Sequence, residues 1–284
     1  MAGGSGRTVL VTGATSGIGF ETAVALARLG DTVLVHGRTV AKASAAAAEV
    51  GRRAGADARV EPIAADLSSL AEVRRLGAEV AARPEPLDVL LNNAGLYMRR
   101  RRLTVDGLET TFAVNHLAPF LLTDLLLPRL REAGGRVVTV ASEAHRNGRI
   151  DFDNLQGERR YLSWPAYANS KLANILFTIE LARRTDGTGV TANCLHPGVI
   201  LSSGLWKGLA VGLFSLLARP FGISPAAGAR TSVYLASSPD VDGITGLYYA
   251  ARRPARPAPQ ALDLATAERL WDVSAALLAG APLS

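Results

Sequence analysis

Short runs rich in Val, Leu and Ile alternate along this chain with longer stretches in which Ala and Leu recur at helical spacing. The runs predict strands at Thr8–Thr12, Thr32–His36, Arg59–Ile63, Leu87–Leu91, Arg136–Ala141, Val190–Leu195 and Thr245–Tyr249. The stretches predict helices near Gly17–Leu29, Val40–Arg53, Ser68–Ala82, Gly107–Arg131, Pro165–Arg184, Pro225–Ser237 and Leu264–Leu278. Most of the strands are almost continuously apolar, as strands covered on both faces are. This alternation predicts an α/β fold, a doubly wound parallel sheet of about seven strands with helices on both faces. No internal repeat or linker divides the rhythm, so residues 1–284 read as a single domain. The Pro-rich Arg252–Pro259 segment reads as a surface loop that returns the last helix.

From Val199 to Phe221 the pattern changes: Leu, Val, Phe and Gly dominate, with Lys207 and Arg219 the only charges. A membrane span needs about 20 consecutive apolar residues. Ser202, Ser203, Lys207 and several glycines interrupt this stretch, so it predicts an apolar substrate lid over about residues 199–223 rather than a span.

Composition narrows the function. With 48% hydrophobic and 20% charged residues the chain is globular rather than disordered. A lone cysteine, Cys194, excludes an internal disulfide, and four scattered histidines offer no zinc spacing, so no metal is expected. Cys194 reads as an inert buried thiol. The net charge of +6 would permit nucleic-acid binding, but the one dense basic run, Arg99–Arg102, has no aromatic interleaving and reads as a solvated loop. No nucleic-acid partner is expected. The first residues lack an apolar signal core, which predicts a cytoplasmic protein.

Two sets of residues carry chemistry. Strand Thr8–Thr12 leads into Gly13-Ala14-Thr15-Ser16-Gly17-Ile18-Gly19 and then a helix, the strand, loop and helix context of a dinucleotide site. Glycines permit the tight turn, and the helix N-terminus offers N–H groups to a pyrophosphate. Arg38 ends the second strand nineteen residues beyond Gly19, where an acidic residue would bind a ribose hydroxyl and an arginine can pair with a 2′-phosphate. Arg38 therefore points to NADP(H). Asp66, after the third strand, is placed either to accept from an adenine amino group or to cap the following helix.

The second set centres on Tyr167 and Lys171, four residues apart and so on one helix face. A nearby ammonium favours phenolate, so Lys171 is expected to draw the Tyr167 pKa down toward working pH. Ser142 ends the fifth strand at the carboxyl edge, where open α/β sheets collect ligands. Asn92-Asn93-Ala94-Gly95 follows the fourth strand at the same edge, and Asn115 lies in a helical stretch available to a polar relay. A hydrolase triad of Ser142, His145 and Asp151 lacks the G-x-S-x-G elbow, and His145 reads as structural.

Thr12–Gly19, Asn92–Gly95, Asn115, Ser142, Tyr167, Lys171 and Pro197-Gly198 occur in the order of a known pattern. With them the chain resembles the short-chain dehydrogenase/reductase family, TGxxxGxG/YxxxK subgroup, over nearly its whole length. His196-Pro197-Gly198, Asn154–Glu158, Ser170–Asn174 and Leu270-Trp271 resemble its retinol-dehydrogenase-like branch. The resemblance implies a Rossmann-type domain that binds NADP(H) through Gly13, Thr15, Ser16, Gly17, Ile18, Gly19, Arg38, Asp66, Leu67, Asn92, Asn93, Ala94, Gly95, Tyr167, Lys171, Pro197, Gly198 and Ser202. It implies that Tyr167 is the general acid and base, that Ser142 polarises the carbonyl, and that Lys171 binds the nicotinamide ribose. Asn115 would hold a relay water. Ser202 stands where the family has a threonine.

The implied reaction is hydride transfer between nicotinamide and a carbonyl or alcohol, with ketone or aldehyde reduction favoured. The lid, with Trp164 and Trp206 near its mouth, points to a lipophilic small-molecule substrate. A homodimer or homotetramer is implied by analogy, through the helices near Gly107–Arg131 and Pro165–Arg184. Branch members often carry an N-terminal membrane anchor; none is seen ahead of Thr8, so no membrane span is expected. The alternative is a non-catalytic NADP(H)-binding sensor or scaffold on the same fold.

Overall fold

The computed structural model describes residues 6–198 and 223–280. Its strands are β1 (Thr8–Val11), β2 (Thr32–Gly37), β3 (Arg59–Ala64), β4 (Val89–Asn92), β5 (Arg136–Val140), β6 (Thr191–His196), β7 (Tyr248–Ala250) and β8 (Arg253–Pro254). They form one sheet in the order β3-β2-β1-β4-β5-β6-β7-β8, parallel except for β8. The order reverses between β1 and β4, and ligands of open α/β sheets bind in the crevice at such a reversal.

The fully buried Val and Leu residues of β1 and β4 make the centre of the sheet. Helices α1 (Gly17–Arg28), α2 (Val40–Ala54) and α6 (Pro225–Ser237) cover one face, packing on Val9, Val11, Val33 and Val35. Helices α3 (Leu70–Ala81), α4 (Thr110–Ala133), α5 (Ser163–Arg184) and α7 (Leu264–Leu278) cover the other, around Leu10, Leu34, Leu90 and Val137. Start signals are local: Thr39, Ser69, Glu109, Ser224 and Asp263 each accept backbone N–H bonds of the turn they precede.

The doubly wound parallel sheet of about seven strands is as expected, and three local expectations are corrected. The Arg252–Pro259 segment is no simple surface loop but adds a short antiparallel eighth strand. Ala251 and Arg252, both at positive φ (48° and 64°), turn the chain into β8, with the backbone twist that suits a two-residue hairpin. Further on, Ala258 is buried and its N–H donates to His145 Nε2. Strand β7 starts at Tyr248 rather than Thr245, because Thr245 Oγ1 and the Ile244 carbonyl are taken up by Ala192 N–H and Asn193 Nδ2. Helix α4 starts at Thr110, not Gly107: Gly107 has φ of 76° and Glu109 supplies the cap. Its turn Ala113–Leu117 is a π-helix, which swings both Asn115 and His116 into the interior.

Helix α4 is the one element among the described residues that is long and apolar enough to cross a membrane, and 78% of its apolar window is buried inside the fold, as in a core helix. Most of the expected lid, including Ser202 and Trp206, lies outside the described residues. At the sheet's borders, β3 carries Arg59, Glu61 and Pro62 and β8 consists of Arg253 and Pro254.

Candidate active site

The loop after β1 is shaped by close approaches. Gly13 has φ of 64°, and a Cβ there would lie 2.8 Å from Ala94 Cα, so the loop and the Asn93-Ala94 turn touch backbone to backbone. Thr12 Oγ1 stitches them together: it donates to Leu91 O and accepts from the N–H groups of Asn93 and Ala94. Asn93 Nδ2 donates to the carbonyls of Thr12 and Gly13. The Asn92 side chain turns away from the edge into the core, where it donates to Thr123 Oγ1. The Asn92 amide nitrogen is thus spent on the core and that of Asn93 on the glycine loop.

His36, which sequence reasoning left unassigned, fixes the same loop. Its Nδ1 accepts from Gly13 N–H at 3.0 Å and its Nε2 donates to Ala65 O at 3.0 Å, an arrangement that requires the neutral ring. Burial lowers its pKa from 6.5 to about 4, against smaller upward pulls from the Ala65 carbonyl and Asp66. The unfolded chain takes up this proton first, so stability is full above about pH 6.5 and falls as pH drops toward 4. Over that window His36 alone is expected to remove about 3 kcal/mol of unfolding free energy. Urea titrations at pH 7 and pH 4.5 measure it; His36→Gln, which can keep both bonds without titrating, should lose its share of the slope, and an unchanged slope would contradict the assignment.

The residues fit a dinucleotide. The N-cap of α1, Ser16, makes no side-chain capping bond, which leaves the first N–H groups of α1 open, and Gly17 has nothing within 4 Å of where a Cβ would stand. A phosphate group beside that N-terminus would satisfy them. Thr15 and Ile18 are half-buried beside them. Arg38 is exposed just beyond β2 and makes no side-chain hydrogen bond or ion pair to a described residue. Asp66 accepts from Ser68 N–H and Ser68 Oγ, while Ser69 caps α3, so the capping role foreseen for Asp66 falls to its neighbour. Leu67 is buried beneath. Pro197 and Gly198 follow β6, Gly198 at φ of 89° with its N–H held by His196 Nδ1 at 3.3 Å.

At the same edge, Ser142 lies two residues beyond β5 and caps a 3₁₀ turn, its Oγ accepting from Ala144 N–H. His145 secures that turn: Nδ1 donates to the Ser142 carbonyl at 2.7 Å and Nε2 accepts from Ala258 N–H at 3.0 Å. Both nitrogens are thus committed to backbone and neither serves the Ser142 hydroxyl, as the structural reading of His145 requires. Tyr167, on the second turn of α5, is 7% exposed and packs edge-on against Tyr97 with ring centroids 5.9 Å apart and beside Trp164 at 6.1 Å. Lys171 is fully buried, its Nζ donating to Val140 O at 2.9 Å and lying 5.9 Å from the Tyr167 ring centre. Asn115 Oδ1 accepts from Leu96 N–H, and its Nδ2 donates to Leu96 O and Ser170 Oγ. Gly95 lies between: a Cβ on it would stand 3.3 Å from Lys171 Nζ and 3.5 Å from Asn115 Oδ1.

The expected lowering of the Tyr167 pKa by Lys171 is not seen in this arrangement. Burial pushes the phenol above its ordinary value, and the opposing pull comes from the Ser142 hydroxyl. Burial acts on the lysine too, lowering it from 10.5 to about 8. Cys194 is buried and its thiol is pushed up to about 12 by burial, consistent with an inert core residue. Arg101, within the basic run, donates to Gln156 O and latches that loop to the 154–161 segment. A groove of about 680 Å³ between α1 and α6 shares no residue with this cluster.

The chain is similar to known proteins. The family model described as short chain dehydrogenase matches residues 7–209. Retinol dehydrogenase 14 of Homo sapiens is 43% identical over 287 aligned residues, covering 95% of this chain and 85% of that protein. Among solved structures, an uncharacterized protein from Mycobacterium paratuberculosis is 37% identical with a TM-score of 0.78, covering 98% of this chain and 95% of its own. A blue fluorescent protein from a metagenomic library, solved in complex with NADPH, is 29% identical with a TM-score of 0.69, covering 86% and 96%.

Proposed function

Because the chain belongs to the short-chain dehydrogenase family, in its retinol-dehydrogenase-like branch, we propose that this oxidoreductase uses NADP(H) to reduce the carbonyl of a lipophilic ketone or aldehyde. The observation that carries the reading is the convergence of Ser142, Tyr167, Lys171 and Asn115 at the carboxyl edge of the sheet, next to the open N-terminus of α1.

In this reading the α1 N-terminus holds the pyrophosphate, Arg38 pairs with the 2′-phosphate, and Lys171 serves the nicotinamide ribose. The bound nicotinamide supplies the hydride. Ser142 Oγ donates to the substrate carbonyl oxygen and fixes it against the Tyr167 hydroxyl. Tyr167 gives its proton to that oxygen as negative charge develops, and burial, by keeping the phenol protonated, suits it to the role of acid. Lys171 and Asn115 stand where the proton can be replaced. Tyr97 and Trp164 flank Tyr167 with apolar surface, which favours a lipophilic substrate and excludes water from the reacting oxygen.

Purified protein mixed with NADPH and a panel of lipophilic ketones and aldehydes should consume NADPH with at least some of them. Tight NADPH binding with no turnover across the panel would instead favour a sensor or scaffold. Assembly as a homodimer or homotetramer through the helices near Gly107–Arg131 and Pro165–Arg184 is carried forward as a proposal.

A further inference from the structure

Two segments without a part in the chemistry so far meet beside Tyr167. The loop after β4 carries Tyr97, Met98 and Arg99–Arg102; the other segment carries Arg159, Arg160, Tyr161 and Leu162 and runs into Ser163 and Trp164 on the first turn of α5. Three hydrogen bonds latch them together. Tyr97 Oη donates to Ser163 Oγ at 2.7 Å, Tyr161 Oη to Met98 O at 2.8 Å, and Arg101 Nε to Gln156 O at 2.9 Å. The Tyr167 ring lies 5.9 Å from that of Tyr97 and 6.1 Å from that of Trp164, so the latch borders the site.

The outer surface of these segments is both basic and apolar. Arg99, Arg100, Arg102 and Arg160 are exposed, and none of their side chains makes a hydrogen bond or ion pair to a described residue. Residues 97–106 and 153–164 hold six arginines and three carboxylates, and each carboxylate is engaged. Asp106 accepts from Leu70 N–H, Glu158 accepts from Gln156 N–H, and Asp153 pairs with Arg159 at 3.6 Å. Ten large apolar side chains are exposed among the described residues, and four of them, Leu103, Val105, Leu162 and Trp164, belong to these two stretches. Val105, within the turn closed by the Leu103–Glu109 bridge, is 87% exposed.

Guanidinium groups bind phosphate and carboxylate oxygens, which bilayers, nucleic acids and free anions all offer. The apolar members choose among these. Leu103, Val105 and Leu162 gain little from a free anion or a nucleic-acid backbone, but the hydrophobic effect drives them below the headgroups of a bilayer, where an indole also settles. We propose that this face docks on an anionic lipid surface, its arginines on the headgroups and its apolar side chains at the acyl boundary. Docking sets the site beside the phase in which a lipophilic carbonyl concentrates. That delivery rests on the function proposed above; the docking does not.

The full chain is to be sedimented with vesicles of phosphatidylcholine alone and with vesicles in which about one-third of the lipid is phosphatidylserine. Binding should be at least about tenfold tighter to the anionic vesicles. It should be lost between about 0.1 M and 1 M salt, as the screening length falls from about 10 Å to about 3 Å. Combining Arg99→Gln, Arg100→Gln and Arg102→Gln should weaken it about a hundredfold, and Val105→Ser about threefold to tenfold. Because the replaced side chains are exposed, both variants should keep the wild-type thermal midpoint. Glycerophosphoserine, which has the headgroup and no bilayer, should not displace the protein.

A long-chain alkyl ketone dissolved in the vesicles and a short water-soluble ketone separate docking from chemistry. The long ketone should show a KM about tenfold lower on anionic than on neutral vesicles, and the triple arginine variant should lose this advantage while treating the soluble ketone as the wild type does. Equal binding to both vesicles, or full binding by the triple variant, overturns the docking. Displacement by glycerophosphoserine overturns it in favour of a soluble anion, and no binding to either vesicle overturns it in favour of an acidic protein. Salt-sensitive binding to anionic vesicles with no turnover of either ketone rejects the proposed chemistry and leaves the docking. If the triple variant fails to fold, the lipid and salt dependence of the wild type still decide.

Discussion

Tyr167→Phe is expected to fold, to bind NADPH as tightly as the wild type, and to lose about 10²–10⁴ in kcat/KM for carbonyl reduction. Only one oxygen is removed, and the ring keeps its contacts with Tyr97 and Trp164. Stability should therefore change little, while the proton donor is lost. Steady-state NADPH consumption together with a fluorescence titration of NADPH binding checks both halves. Activity within about threefold of the wild type would take Tyr167 out of the proton transfer. The pH dependence carries a sign as well. A phenol held above its ordinary pKa stays protonated further into the alkaline range, so reduction should persist there, whereas alcohol oxidation, which needs the phenolate, should rise with pH.

Arg38→Asp is the second large effect expected. The guanidinium is exposed just beyond β2 and makes no hydrogen bond or ion pair to a described residue. On the proposed reading it pairs with a 2′-phosphate, and a carboxylate in its place would exchange attraction for repulsion. NADPH affinity should fall by about 10²–10³, with NADH binding unchanged or improved. Because Arg38 is exposed and makes no hydrogen bond or ion pair to a described residue, the thermal midpoint should change little. Equal losses for both nucleotides would mean that Arg38 supports the fold rather than reading the phosphate.

Much of the architecture was legible because buried parallel strands advertise themselves. The uniform runs of β1, β2, β4, β5 and β6 fall within a few residues of the predicted spans. What escaped was set by contacts between distant segments. Nothing local marks Arg253-Pro254 as a strand; it becomes one because Tyr249 and Ala250 pair with it. The π turn of α4 has no signature in its residues and follows from what Asn115 and His116 must reach. Within the site, the order of motifs located Ser142, Tyr167 and Lys171, but spacing alone could not show that burial raises the phenol and that the opposing pull comes from Ser142. Nor could it show that His36, twenty-three residues from Gly13, holds the cofactor loop. Asn92 reads as an edge residue by position and is a core residue by side chain.

The two outermost strands have something in common. Each carries a proline next to a charged residue: Pro62 beside Glu61 in β3 and Pro254 beside Arg253 in β8. Proline withholds a backbone donor, and a charged neighbour must be desolvated before another chain can add on. Strands β1, β2, β4 and β5 are rich in Val and Leu, the composition from which fibres grow once an unpaired rung is offered. With both terminal rungs blunted, a concentrated solution of the folded chain is protected against self-templated stacking. Crowding should drive it toward amorphous association through its surfaces long before ordered fibrils.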